Sequence, residues 1–375
     1  MLTADQIDDL RGSCEQLVRP ITEYILRDIA ERIAAAGKIT STAAYKVWVV
    51  QQMGISQRNL KQYLRKTLGL SKKELEDLIK SSAQAGYSVD ISRFPTTRGI
   101  PFEQNEALQG IVLAATETAG KTLENLTQTL GMIGPNGKAL PLQKVYRECM
   151  DFMFTKVITG ASDYNTAFMQ ATNNLVKAGV QTIDYQSGRH MSLEAAVRGN
   201  LMGGLGVMQE KISEKVHEDL GCDGWEISAH ACSAPDHEPI QGKQFSDADY
   251  KKLNNSLVRR ISTLNCGHVA SPIIMGINKP QYTEEQLEKF RADNEAGFDY
   301  EGKHYTMYEA TQRQRQIERS IRFWERRRTV YSAGGQTDKA KAAEARLTQL
   351  MAEYRRFSKA AGLREQFERT WIADS

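Results

Sequence analysis

Apolar residues three and four apart recur along nearly the whole chain, and that rhythm allows few folds other than packed helices. In the first run they fall at Ile7, Leu10, Cys14, Leu17 and Ile21, and in the last at Ala343, Leu347, Leu350, Tyr354 and Phe357. At about 100° per residue each set lies on one helix face, which another element must cover. Two-residue alternation is clear only at Trp225-Glu-Ile-Ser, with turn residues following at 233–239. A second short β signal, residues 297–305, reads as a hairpin with Glu301-Gly302 near its turn. The expected fold class is therefore mostly α with a small α+β central domain and a C-terminal antiparallel helical hairpin.

Breaks in the rhythm predict the element boundaries. Thr3 and Gln6 suit a capping box, and Pro20 should kink or split the first helix. Ser56 and Ser71 read as N-caps of two short helices, which leaves a helix-turn-helix reading of residues 56–80 open beside plain packing. Residues 87–101 read as a linker interrupted by Pro95 and Pro101, with Pro101 in the first turn of the next helix. A helix over 102–130 ends at Gly131, and GPNGK (134–138) is a turn. Helices follow at Leu142–Ile158 and Tyr164–Ala178, then a brief alternation at Val180, Ile183 and Tyr185. The pattern over Leu193–Leu220 is helical again, although Gly199, Gly203, Gly204 and Gly206 predict close helix packing or a break. Residues 284–293 form a short helix, and 332–336 join the last two. A chain of 375 residues exceeds one small core. We divide it into an N-terminal helical region with linker (1–100), an α+β domain (101–280) and a basic C-terminal helical region (281–375).

Composition limits the setting. Mean hydropathy is −0.49 and no apolar run approaches the ~20 residues that span a bilayer. The first residues, MLTADQIDDLRG, lack the regions of a signal peptide. Five irregularly spaced cysteines argue against a disulfide framework and for a reducing compartment. Net charge is +3, but residues 302–375 hold 16 Lys/Arg against 9 Asp/Glu. Such a basic tail suits a polyanion or an acidic protein surface, or is a solvated helical hairpin.

Two constellations could carry chemistry. His230, His237, Cys266 and His268 are candidate ligands for a structural zinc, with Cys232 in reserve. Their spacing, His-x6-His then Cys-x-His, lies outside the usual finger spacings, and the alternative is a small polar core between strands. Glu226, Asp236 and Glu238 are the acids nearby that a hydrolytic site would need as a base. The second constellation is Arg315, Arg319, Arg322 and Arg326, a stripe about 170° from Ile317, Ile321 and Trp324. It should face outward, where guanidinium groups meet phosphates or carboxylates of a partner or DNA, or simply solvent. Gln241-Gly242-Lys243 and Gly204-Leu-Gly206 lack the frames of nucleotide loops. Asp184, Arg189 and His190 read as a surface loop, and no catalytic triad stands out.

Four segments together resemble a known family. They are DYNTAFMQATNNLVKAGV at Asp163, IDYQSGRHMSLEAAVRGNL at Ile183, WEISAHACSAPDHEPIQGKQFS at Trp225 and NCGHVASPIIMGINKP at Asn265. In content, order and spacing they are similar to the phage minor capsid proteins of the second type, found in phages and prophages of Gram-positive bacteria and related to the Mu F-type head-morphogenesis proteins. The resemblance is weaker over the N-terminal helices and returns at residues 300–322. Gly267 stands where the family commonly has arginine. The resemblance implies a structural, non-enzymatic virion protein, present in the host cytoplasm during assembly. Its expected partners are the portal protein and the capsid interior, with packaged double-stranded DNA as a further candidate and no membrane anchor. Its expected work is head assembly or DNA delivery. No cofactor is implied with certainty beyond the candidate structural zinc. The rival readings are a metal-dependent nuclease or hydrolase built on the His/Cys cluster, and a DNA-binding module acting through the arginine helix.

Overall fold

Pro20 divides the N-terminal pattern into two helices. A computed structural model describes residues 4–94, 99–261 and 267–370. In it α1 (Ala4–Gln16) ends before α2 (Arg19–Ala36), and Pro20 occupies the first turn of α2, where a missing N–H costs nothing. Thr3, the predicted cap of α1, lies outside the described residues. Ile21, Ile25, Leu26, Ile29 and Ile33 of α2 are all fully buried, because α2 packs among α1, α3, α5, α6 and α10.

The next element departs from expectation. One uninterrupted helix, α3 (Thr42–Ser92), runs for 51 residues, about 75 Å at 1.5 Å per residue. Ser56 and Ser71 are buried within it and cap nothing. The Ser56 hydroxyl donates to Asp28 Oδ2 (2.7 Å) and that of Ser71 to the Leu17 carbonyl (3.0 Å). Their hydroxyls tie α3 sideways to the helices beneath, which removes the helix-turn-helix reading of 56–80. Much of the predicted linker is the end of α3, and buried Tyr87 donates to the Ile100 carbonyl (2.7 Å). Pro101 precedes a 3-10 turn (Phe102–Gln104), and Asn105 then caps α4 (Glu106–Gln128) through the Leu108 amide (3.2 Å).

The helix expected to reach residue 130 stops at Gln128, and Leu130 instead opens β1 (Leu130–Ile133), a strand the pattern does not announce. It pairs through the 134–138 turn with β2 (Ala139–Pro141). After α5 (Leu142–Ile158) and α6 (Tyr164–Ala178) come β3 (Gln181–Ile183) and β4 (His190–Ser192), giving an antiparallel sheet of order β2-β1-β3-β4. Then α7 (Leu193–Leu220) runs without a break from its Ser192 cap to left-handed Gly221. A Cβ at Gly199, Gly203 or Gly204 would meet nothing within 4 Å, so these do not mark close packing. The close approach lies at Gly86 of α3, where a Cβ would fall 1.9 Å from Gln209 Oε1 of α7.

A second antiparallel sheet, β6-β5-β7, follows, from β5 (Gly224–Ile227), β6 (Gln244–Ser246) and β7 (Ala270–Ile273), with α8 (Asp247–Ser256) between the last two. Beyond α9 (Glu284–Ala296), β8 (Phe298–Tyr300) and β9 (Lys303–Tyr305) form the expected hairpin. Glu301 and Gly302 both have positive φ (50° and 77°), as a two-residue turn of that twist requires. The last two helices, α10 (Met307–Ala333) and α11 (Thr337–Ala360), pack as an antiparallel pair. Ile317 and Ile321 meet Leu347, Leu350, Tyr354 and Phe357 in a core of their own. The opposite side of α10 lies on α2 and α6. A 3-10 turn (Phe367–Arg369) then returns to α1: Arg369 pairs with Asp8 (2.9 Å) and Arg364 with Asp9 (2.5 Å). The structure is 69% helical, so mostly α with small sheets holds. Among the described residues no helix is long and apolar enough to cross a membrane.

Candidate functional site

The sheet carrying the alternation at Trp225 is anchored by the end of α3. Asp90 and Arg93, one turn apart, reach it together. Buried Asp90 accepts from the Ser213 hydroxyl of α7 (2.6 Å) and the Ser271 hydroxyl of β7 (2.7 Å). Burial raises its pKa, and the two hydroxyls oppose that shift. Arg93 Nη2 donates to Glu226 Oε2 (2.6 Å). Glu226, wholly buried on β5, also accepts from Gln244 Nε2 and the Gln281 amide, each at 2.8 Å. Both of its oxygens are committed, so this candidate base is half of a buried ion pair. Asp236 is similarly engaged: burial raises its pKa, but Arg259 (2.5 Å) more than offsets that and holds the carboxyl below its ordinary value.

Three of the four proposed metal ligands come together in the loop beside this sheet. The His230 and His268 rings lie 4.3 Å apart, and His237 meets His268 edge-on at 5.3 Å. Each ring also serves the loop. His237 Nε2 donates to the Arg259 carbonyl (2.9 Å) and His230 Nδ1 to the Ala231 carbonyl (2.7 Å). His268 Nε2 stands 3.2 Å from Gln241 Oε1, which accepts the His230 amide as well. Burial lowers the pKa of His237, partly opposed by Asp236, which favours the neutral ring. Cys266 lies outside the described residues. Among those described, no group of three His, Cys, Asp or Glu side chains is placed to hold a metal ion.

A cleft of about 400 Å³ opens between α7, α8 and β5. Its wall is an aromatic stack: His217 on Trp225 (4.9 Å) and Trp225 on Tyr250 (5.4 Å). Glu214 at its rim has a raised pKa, from burial and then from Glu210 and Glu218. Ser213 in its wall donates its hydroxyl to Asp90 (2.6 Å).

The arginine stripe does not face solvent as expected, because α10 is covered on two sides. Arg326 donates to the Val176 (2.9 Å) and Lys177 (3.3 Å) carbonyls at the end of α6. Arg322 donates to the Arg369 carbonyl (2.6 Å) and lies 3.8 Å from Glu15. Burial and neighbouring Arg369 pull the Arg315 guanidinium below its ordinary pKa, with Asp8 opposing. Only Arg319 of the four is exposed.

Comparison with known sequences decides what this assembly of helices is. The family model for phage minor capsid protein 2 matches residues 2–359. The chain belongs to that family. No curated protein and no solved structure matches it. The match takes in the N-terminal helices, where the resemblance read from motifs is weak, as well as the β5–β7 region. It gives this minor capsid protein a structural capsid role and a place in the virion, among virion partners. The one motif departure has a local explanation. Gly267 has φ +82°, and a Cβ there would stand 3.0 Å from His230 Nε2, so this minor capsid protein has little room for an arginine. Sequence reasoning missed Asp90 and Arg93, which hold the motif-bearing sheet to α3. Both fall in or beside the stretch that reads as a linker, and nothing in their spacing points to a partner more than 120 residues away.

Proposed function

We propose that this minor capsid protein acts at the portal or on the inner capsid surface, in head assembly or DNA delivery, after synthesis in the host cytoplasm, and without catalysis. The family match over residues 2–359 carries the reading. The use of Glu226 and Asp236, two of the three candidate bases, in ion pairs supports it, since a hydrolytic site needs an unengaged base beside its metal. The test is fractionation of assembled heads. The protein should sediment with them, far below the coat protein in copy number, and be captured by the portal. Absence from purified heads would sink the reading, and metal-dependent nuclease activity of the purified chain would revive the enzymatic one.

For the histidines we favour a hydrogen-bonded loop core over zinc, because each ring already serves a loop oxygen. Purified protein should contain no stoichiometric zinc and melt unchanged in chelator. One equivalent of zinc, lost with stability in Cys266→Ala, would establish the metal site instead.

A further inference from the structure

The strongest unassigned feature is the outer face of α3. Residues 42–73 contain seven Lys/Arg and no Asp/Glu, leaving 42 against 46 in the rest of the chain. All seven are exposed, and none has a carboxylate within 4 Å among the described residues. Six of them (Arg58, Lys61, Arg65, Lys66, Lys72 and Lys73) fall within an arc of about 140°, opposite the buried stripe of Val49, Ser56, Leu60 and Thr67. Acids follow where the ridge ends, at Glu74, Glu76 and Asp77, and Glu117 and Glu124 of α4 stand beside it. From Arg58 to Lys73 the ridge is about 22 Å long.

Glycine supplies a second, independent observation. Gly54 and Gly69 lie in the same arc, in the interior of an exposed helix, where glycine is unfavourable. A Cβ at either would meet nothing within 4 Å, so the protein's own packing does not require them. Between Arg58 and Lys73 the arc presents Gln62 and no aromatic or apolar anchor of the kind on which protein interfaces depend, while exposed Val47 stands before it and exposed Leu70 at its edge. A low, polar, cationic ridge suits a charged rod better than a second folded surface.

We propose that this face of α3 binds the phosphate backbone of duplex DNA without regard to sequence. A duplex presents a charge about every 1.7 Å along its axis, so the ridge spans many phosphates. Lysine stems can reach them as flexible point charges. This goes beyond portal association, and it stands or falls on the purified full-length protein wherever that protein sits in the head.

The test is fluorescence anisotropy with a random-sequence duplex of about 30 base pairs across a NaCl series. Five phosphate contacts predict a log K against log salt slope of about −4 to −5. Lys61→Gln/Arg65→Gln/Lys72→Gln/Lys73→Gln should flatten it by roughly 3–4 units while circular dichroism and melting stay unchanged. Gly69→Glu, which keeps every cation, should weaken binding several-fold, and Arg319→Gln on α10 should not. Three results would overturn the proposal: no duplex binding at about 50 mM salt, an unaltered slope in the folded quadruple variant, or equal affinity for polyglutamate. The last would reassign the ridge to an acidic protein.

Discussion

Helices α3 and α10 each carry seven cations in a short stretch, yet they use them in opposite ways. On α10, between Arg313 and Arg328, all seven are arginine, and six are held within the protein. Arg313 pairs with Glu353 (2.9 Å) and Arg328 with Glu325 and Glu344. Arg327 lies against the Phe323, Trp324 and Tyr331 rings, while Arg315, Arg322 and Arg326 face α1, the C-terminal turn and α6. On α3 five of the seven are lysine, and none has an ion-pair partner among the described residues. A planar guanidinium keeps its charge and its fork of donors when fixed among carbonyls and rings, whereas an ammonium is strongly hydrated and prefers the surface. The kind of cation, more than the local net charge, separates the inward helix from the outward one.

The largest effect should come from an internal charge. Arg93→Ala leaves Glu226 buried without its partner and should cost about 3–5 kcal/mol, read from urea unfolding. A cost under about 1 kcal/mol would mean that inward cations matter no more than outward ones. Arg326→Ala, which removes a charged cap from the α6 carbonyls, should cost about 2 kcal/mol.

A smaller effect should appear as pH dependence. Burial raises the folded pKa of Asp90 above its ordinary 3.8, so its contribution is fully present below that value and is lost as pH rises through the folded pKa. Asp90→Asn should therefore remove a decline in the urea midpoint on going upward from about pH 4. A decline of equal size in the variant would acquit Asp90. The smallest effect belongs to the outward face: each Lys→Gln change on α3 should stay within ~0.5 kcal/mol. A larger loss would show that these lysines also hold the fold.

The same contrast explains what was legible beforehand. Leu142–Ile158, Tyr164–Ala178 and Leu193–Leu220 match their predicted bounds because apolar spacing and caps agree there. On α3 the packing face carries Ser56, Thr67, Ser71, Ser82 and Gly86 where apolar residues would announce a helix. Small polar residues let helices approach and bond sideways, and in sequence they look like caps and breaks. The α10 stripe was read at the correct angle. What sequence could not supply was a second wall: periodicity reveals one buried face, and a helix sandwiched between two neighbours hides the other. The histidines were found because they are few and close in sequence, whereas Asp90, Arg93 and Glu226 meet only through the fold.

The clasp between α1 and the C-terminal turn has a consequence for biosynthesis. Asp8 and Arg369 are 361 residues apart in sequence, so Asp8 meets Arg11 of its own helix early but waits for residues near 369 before this contact can form. Long-range closure of this kind is slow, and until it happens the inner side of α1 is an unfinished edge. Any surface that spans the clasp exists only on chains that reach Arg369, and an assembling head that recognised it would reject shorter fragments.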